Sequence, residues 1–120
     1  MNMEEEIIRF MKNLLVEVGN WTYVSERPGK KPFAKEVEYN VNNIFWGKIH
    51  IRNTGEIYLL VINKDVFNWK EKINELKIKG KVVDAAGGIL WIEEESIENL
   101  KADFTYIQEY LKNLRSSQQR

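Results

Sequence analysis

The segment Glu56 to Asn63 constrains this chain more than any other, because it is apolar on both sides of a strand. Side chains alternate across a β-strand. Ile57, Leu59 and Val61 therefore fall on one face and Tyr58, Leu60 and Ile62 on the other. A strand of that kind needs a central place in a sheet with both faces covered. One cover is expected to be helix. The other is expected to be more of this chain or a second copy of it.

The strand before it, Ile44 to Arg52, differs. Phe45, Gly47, Ile49 and Ile51 make a core face, whereas Ile44, Trp46, Lys48, His50 and Arg52 make a face that starts apolar and becomes wet. Asn53-Thr54-Gly55 supplies the turn, since glycine takes positive φ without a Cβ clash and Asn tolerates it.

Helices are read from apolar positions recurring at three and four. Met3, Ile7, Met11, Leu14 and Val18 predict a first helix over Met3 to Val18, with Gly19 after its end. Glu4, Glu5 and Glu6 fall in its first turn, where carboxylates suit the dipole. Val66, Trp69, Ile73 and Leu76 predict a second helix, Val66 to about Lys77, capped by Asp65. Ile97, Leu100, Phe104, Ile107, Leu111 and Leu114 predict a third, Ile97 to Leu114, capped by Ser96 and followed by a polar tail over 116–120 that frays.

The remaining strands are Asn20 to Ser25, Phe33 to Val41 near a sheet edge, and a hairpin of Lys81 to Ala85 and Ile89 to Glu93 around Gly87-Gly88. The expected architecture is one α+β domain over 1–115. Its antiparallel sheet has five to six strands flanked by three helices, in the order α-β-β-β-β-α-β-β-α.

Composition removes several function classes. The 120 residues hold no cysteine, so disulfides and thiolate metal sites are out. Eighteen basic and eighteen acidic side chains balance, giving no overall drive toward nucleic acid. No apolar run approaches the roughly 20 residues that cross a bilayer. The acidic start MNMEEEII is unlike a secretory signal, and a cytoplasmic protein with no membrane contact is expected.

Catalytic equipment is sparse. His50 is the one histidine, and Ser25, Ser96, Ser116 and Ser117 stand in turn, cap or tail contexts. A Ser-His-Asp site is therefore not expected, nor is any catalytic residue, cofactor or metal. Glu93-Glu94-Glu95 at a strand end offers a cation reading against that of a solvated run. Arg27, Lys30 and Lys31 form a basic loop without the strand–glycine-rich–helix context of a phosphate cradle.

The four tryptophans say more. Trp69 lies on a helix stripe and is expected to be structural. Trp46 and Trp91 lie in strands, and Trp46 shares its face with Ile44. With helices on one side only, this aromatic surface stays bare, and a bare apolar patch signals a partner. Ile44, Trp46, Tyr58 and Trp91 are the expected contact residues.

The ending, Gly88-Ile89-Leu90-Trp91-Ile92 followed by Ile97, Leu100, Phe104, Ile107 and Leu111, is similar to the tail of type III secretion chaperones. The likeness covers nearly the whole chain in element order and length but rests on no diagnostic motif. It implies a homodimer that binds extended segments of a partner polypeptide. Those chaperones are typically acidic, whereas this chain is neutral, and no residue roles carry over. The leading expectation is a non-enzymatic, chaperone-like protein-binding module. Its rivals are a small inhibitor or immunity-type protein acting through Arg27 to Lys31, and a nucleic-acid-associated protein or minimal nuclease using the Lys-rich second helix.

Overall fold

The computed structural model describes residues 3–13, 20–24, 35–41, 45–52, 55–63 and 68–118. Its elements are α1 (Met3–Asn13), β1 (Asn20–Val24), β2 (Lys35–Val41), β3 (Phe45–Ile51), β4 (Ile57–Ile62), α2 (Trp69–Lys72), β5 (Lys81–Ala86), β6 (Ile89–Glu94) and α3 (Ile97–Gln118). The six strands form one sheet in the order β1-β2-β3-β4-β6-β5, and every pairing is antiparallel. The α+β order expected from the sequence is the order found.

β4 is interior, hydrogen-bonded to β3 on one side and β6 on the other. The β3–β4 turn is closed by Gly55 N–H donating to the Arg52 carbonyl at 2.9 Å, with Gly55 at φ 91°. The sheet face toward the helices carries Val37, Tyr39, Val41, Phe45, Ile49, Ile57, Leu59, Val61, Leu90 and Ile92, all buried. α3 lies across β4 and β6 and presents Leu100, Phe104, Ile107 and Leu111, and α1 adds Ile7 and Met11. Phe104 sits within 5.1–5.7 Å of the Phe10, Tyr39 and Phe45 rings, the spacing of edge-on aromatic packing.

Gly47 owes its place to a close approach. It pairs with Tyr39 on one side and Val61 on the other, and a Cβ there would lie 1.9 Å from the Leu60 carbonyl oxygen. The Tyr39 hydroxyl uses that space to donate to the same oxygen at 2.6 Å. Gly47→Ala is expected to destabilise the fold by about 2 kcal/mol through overpacking, read as a lower urea midpoint with unchanged slope.

Three expectations are corrected or bounded. The second helix is much shorter than Val66 to Lys77: Trp69–Lys72 is α-helical, Ile73–Glu75 is a single 3-10 turn, and Leu76 is extended. Its N-cap is Asn68, whose side chain accepts from Lys70 N–H at 3.1 Å, while Asp65 lies outside the described residues. The physical reason is competition from α3. Tyr106 accepts from Lys77 N–H at 3.1 Å, and Asp103 accepts from Lys79 N–H at 2.8 Å and Gly80 N–H at 2.9 Å. The Tyr110 hydroxyl donates to Glu75 just upstream. Residues 103, 106 and 110 share one face of α3, so 76–80 is strapped along it as extended chain.

α3 also continues to Gln118, past Leu114, because Ser116 and Ser117 provide no helix stop. Its start is as expected: the Ser96 hydroxyl accepts from Asn99 N–H at 3.1 Å. Finally, among the described residues β4 is covered by helix on one face only. Among the described residues no helix lies on the side of Tyr58, Leu60 and Ile62.

Candidate functional site

That uncovered side is the candidate site, and the strand register sets its layout in three cross-strand rows. The first runs Glu36, His50, Tyr58, Glu93, Lys81 from β2 to β5. The second runs Thr22, Glu38, Lys48, Leu60, Trp91, Asp84. The third runs Asn40, Trp46, Ile62, Ile89, Ala86 and carries no charge. A one-residue bulge between Val82 and Asp84 adjusts β5 to this pattern.

From β2 to β4 the first row and its surroundings are internally paired. Glu36 is nearly buried, with Lys48 Nζ at 3.4 Å and His50 Nδ1 at 3.4 Å, and Lys48 also reaches Glu38 at 3.8 Å. The Arg52 guanidinium lies 4.7 Å from the centre of the Tyr58 ring and 3.3 Å from Glu56, to which the Tyr58 hydroxyl donates at 3.2 Å. The Tyr58 ring lies 5.6 Å from Trp91 and 6.3 Å from His50. Burial pushes the His50 pKa below its ordinary value, against the opposing pull of the Glu36 carboxylate.

The third row is different. Trp46 is 43% exposed and Ile89 45%, and Ile62 lies between them. Leu60 and Trp91 continue the apolar surface into the second row.

No protein-family model, curated protein or solved structure matches this chain.

Of the four expected contact residues, Trp46, Tyr58 and Trp91 share this face, and Ile44 lies outside the described residues. Tyr58 is only 8% exposed, covered by Arg52 and Trp91, so it supports the face from beneath more than it meets a partner. Ile89 was not among the expected contacts. The alternation of Ile89, Trp91 and Glu93 against Leu90, Ile92 and Glu94 carried the signal, but only the β4–β6 register sets Ile89 beside Ile62.

The rival sites fare differently. Residues 27–31 lie outside the described residues. The lysines of the second helix do not form one helical ridge, since Lys70 and Lys72 stand on α2 while Lys77 and Lys79 stand on the extended strap. Glu93, Glu94 and Glu95 do not converge: Glu93 is on the open face, Glu94 is buried, and Glu95 is exposed beyond β6. Among the described residues no cluster of three acids or histidines could hold a metal ion. Trp69 is structural, fully buried with its indole N–H donating to the Gly88 carbonyl at 3.0 Å.

Proposed function

We infer that this is a non-enzymatic, chaperone-like protein-binding module whose open sheet face takes a partner polypeptide bearing apolar side chains. The observation that carries the reading is the uncharged Trp46–Ile62–Ile89 row, exposed beside charges that are already paired within the chain. An apolar partner surface desolvates this row without stripping a charge of water, and aromatic anchors such as Trp46 contribute disproportionately to such contacts. The charged neighbours, Glu36, Glu38, Lys48 and His50, form a polar border that fixes orientation. A cytoplasmic setting suits this reading, and no helix among the described residues is long and apolar enough to cross a membrane.

The test uses reduced, carboxymethylated α-lactalbumin as an unfolded apolar polypeptide, titrated against low concentrations of this protein. Fluorescence anisotropy of dye-labelled α-lactalbumin reports binding, a signal that every variant leaves intact. Ile89→Asp and Trp46→Ala are each expected to weaken binding by about tenfold or more, with far-UV circular dichroism unchanged because both side chains are exposed. Equal affinity in wild type and both variants would remove the sheet face as the binding surface. Complete loss of affinity above 0.5 M salt would point to a charged contact instead.

A further inference from the structure

We propose that a second copy of this chain caps the open sheet face, with a two-fold axis lying in the interface along β4, until a partner polypeptide displaces it. The proposal rests on the sheet-face reading and names the resting occupant of that face.

The argument is one of self-complementarity. A two-fold axis along β4 stacks the two sheets face to face and preserves each cross-strand row. It exchanges β3 with β6 and β2 with β5, since β3 and β6 flank β4 and β2 and β5 lie one strand further out. In the first row Glu36 then faces Lys81 of the second copy, and His50 faces Glu93. In the second row Lys48 faces the Trp91 ring, a cation–π arrangement, and Leu60 faces its own counterpart. In the third row Trp46 faces Ile89 and Ile62 faces Ile62, so the exposed apolar side chains cover each other. One pairing is unfavourable: Glu38 faces Asp84 near the rim.

An isologous contact makes each pairing between different residues twice and each self-pairing on the axis once. Aligned sheets cross at roughly 30°, which keeps the rows matched near β4 and loosens them toward β2 and β5. The formal net charge of zero adds no long-range repulsion between copies.

Size sets the affinity. Five overlapping strands, β2 to β5, about 4.8 Å apart and five residues deep give a footprint of roughly 400 Å² per copy, about half of the roughly 800 Å² per partner of a stable standard interface. The dimer is therefore weak, in the micromolar range, and exchanges readily. That suits a cap which must yield to a partner.

Sedimentation equilibrium of the full chain from low micromolar to several hundred micromolar tests this. The mass is expected to rise from 14.2 kDa toward twice that value. Ile89→Asp and Trp46→Asp should remain at the monomer mass throughout. Lys81→Glu, which sets an acid against Glu36 of the second copy, should weaken the dimer by about fivefold, because the contact occurs twice. Asp84→Lys, which replaces the one repulsive pairing with an attractive one, should tighten it by a similar factor. Wild type that stays at the monomer mass at every concentration overturns the proposal. So does a dimer indifferent to Ile89→Asp, or one that Asp84→Lys weakens. If the mass stays monomeric while Ile89→Asp still abolishes α-lactalbumin binding, self-capping fails and the sheet-face reading survives. If the dimer behaves as described and α-lactalbumin never binds, the reverse holds.

Discussion

Phe104→Ala is expected to cost about 3–5 kcal/mol, the range for removing a fully buried aromatic ring. Phe104 is 0% exposed and is the point where α1, α3 and the sheet meet, with Phe10, Tyr39 and Phe45 each against its ring. These neighbours come from three different elements and cannot collapse together into the space, so the cavity term should be near the upper end. Such a loss is a large part of the margin of a domain this size. Urea unfolding at neutral pH measures it. Trp46→Ala removes a larger side chain from the open face and should cost within about 0.5 kcal/mol, as surface changes do. If the two variants lost similar stability, Trp46 would belong to the core and the open-face reading would fall.

The second large effect concerns a pair of buried acids. Glu94, at the end of β6, is 4% exposed, and among the described residues neither of its carboxyl oxygens accepts a hydrogen bond. Asp103 on α3 is 1% exposed, and its two oxygens hold Lys79 N–H and Gly80 N–H. Burial first, and then the adjacent Asp103, push the Glu94 pKa up to about 9. Glu94 is therefore a neutral acid at pH 7, and its proton can bridge toward Asp103. The sign of the pH dependence follows. Between about 4.5 and about 9 the unfolded chain has released this proton and the folded chain has kept it. The unfolded state binds fewer protons, so stability falls as pH rises across that window, at up to about 1.4 kcal/mol per pH unit, and levels off above it.

Glu94→Gln keeps the group neutral at every pH and retains a donor for Asp103. It is expected to flatten the profile and to raise stability at pH 8 by about 2–4 kcal/mol relative to wild type. His50 pulls the other way at lower pH. Its folded pKa is depressed, so its contribution grows as pH rises toward about 6.5 and is constant above. The Glu94 slope is thus read most cleanly between pH 7 and 9. A wild-type stability that is flat over that range would mean Glu94 is ionised in the folded protein.

The sequence placed much of this. The alternation in β3 marked Phe45, Ile49 and Ile51 as a core face, and all three are buried, while in β4 it grouped Ile57, Leu59 and Val61 without telling their face from the equally apolar one opposite. The three-four stripe of α3 named Leu100, Phe104, Ile107 and Leu111, and all are core. These are local signals, because a side chain's face is set by the period of its own element. The α2 region went wrong for the complementary reason. Val66, Trp69, Ile73 and Leu76 have helical spacing, but Tyr106, Asp103 and Tyr110, some 30 residues away, capture the backbone and the 3-10 turn. No window around residue 77 contains that competition.

The candidate site divides along the same line. That Trp46 avoids the core face was legible in β3, where it is one residue out of phase with Phe45, Ile49 and Ile51, whereas β4, apolar on both faces, gave no such sign for Tyr58. That Trp46, Tyr58 and Trp91 lie together depended on β6 pairing with β4 as well as with its chain neighbour β5, and on all described helices collecting on one side. Both are long-range choices, made where burial of the Phe104 and Leu59 faces is greatest. Periodicity determined which residues share a face of each strand. Only the assembled sheet decided that Trp46, Ile62 and Ile89 form one continuous row, because cross-strand register is set by contacts between segments and not within them.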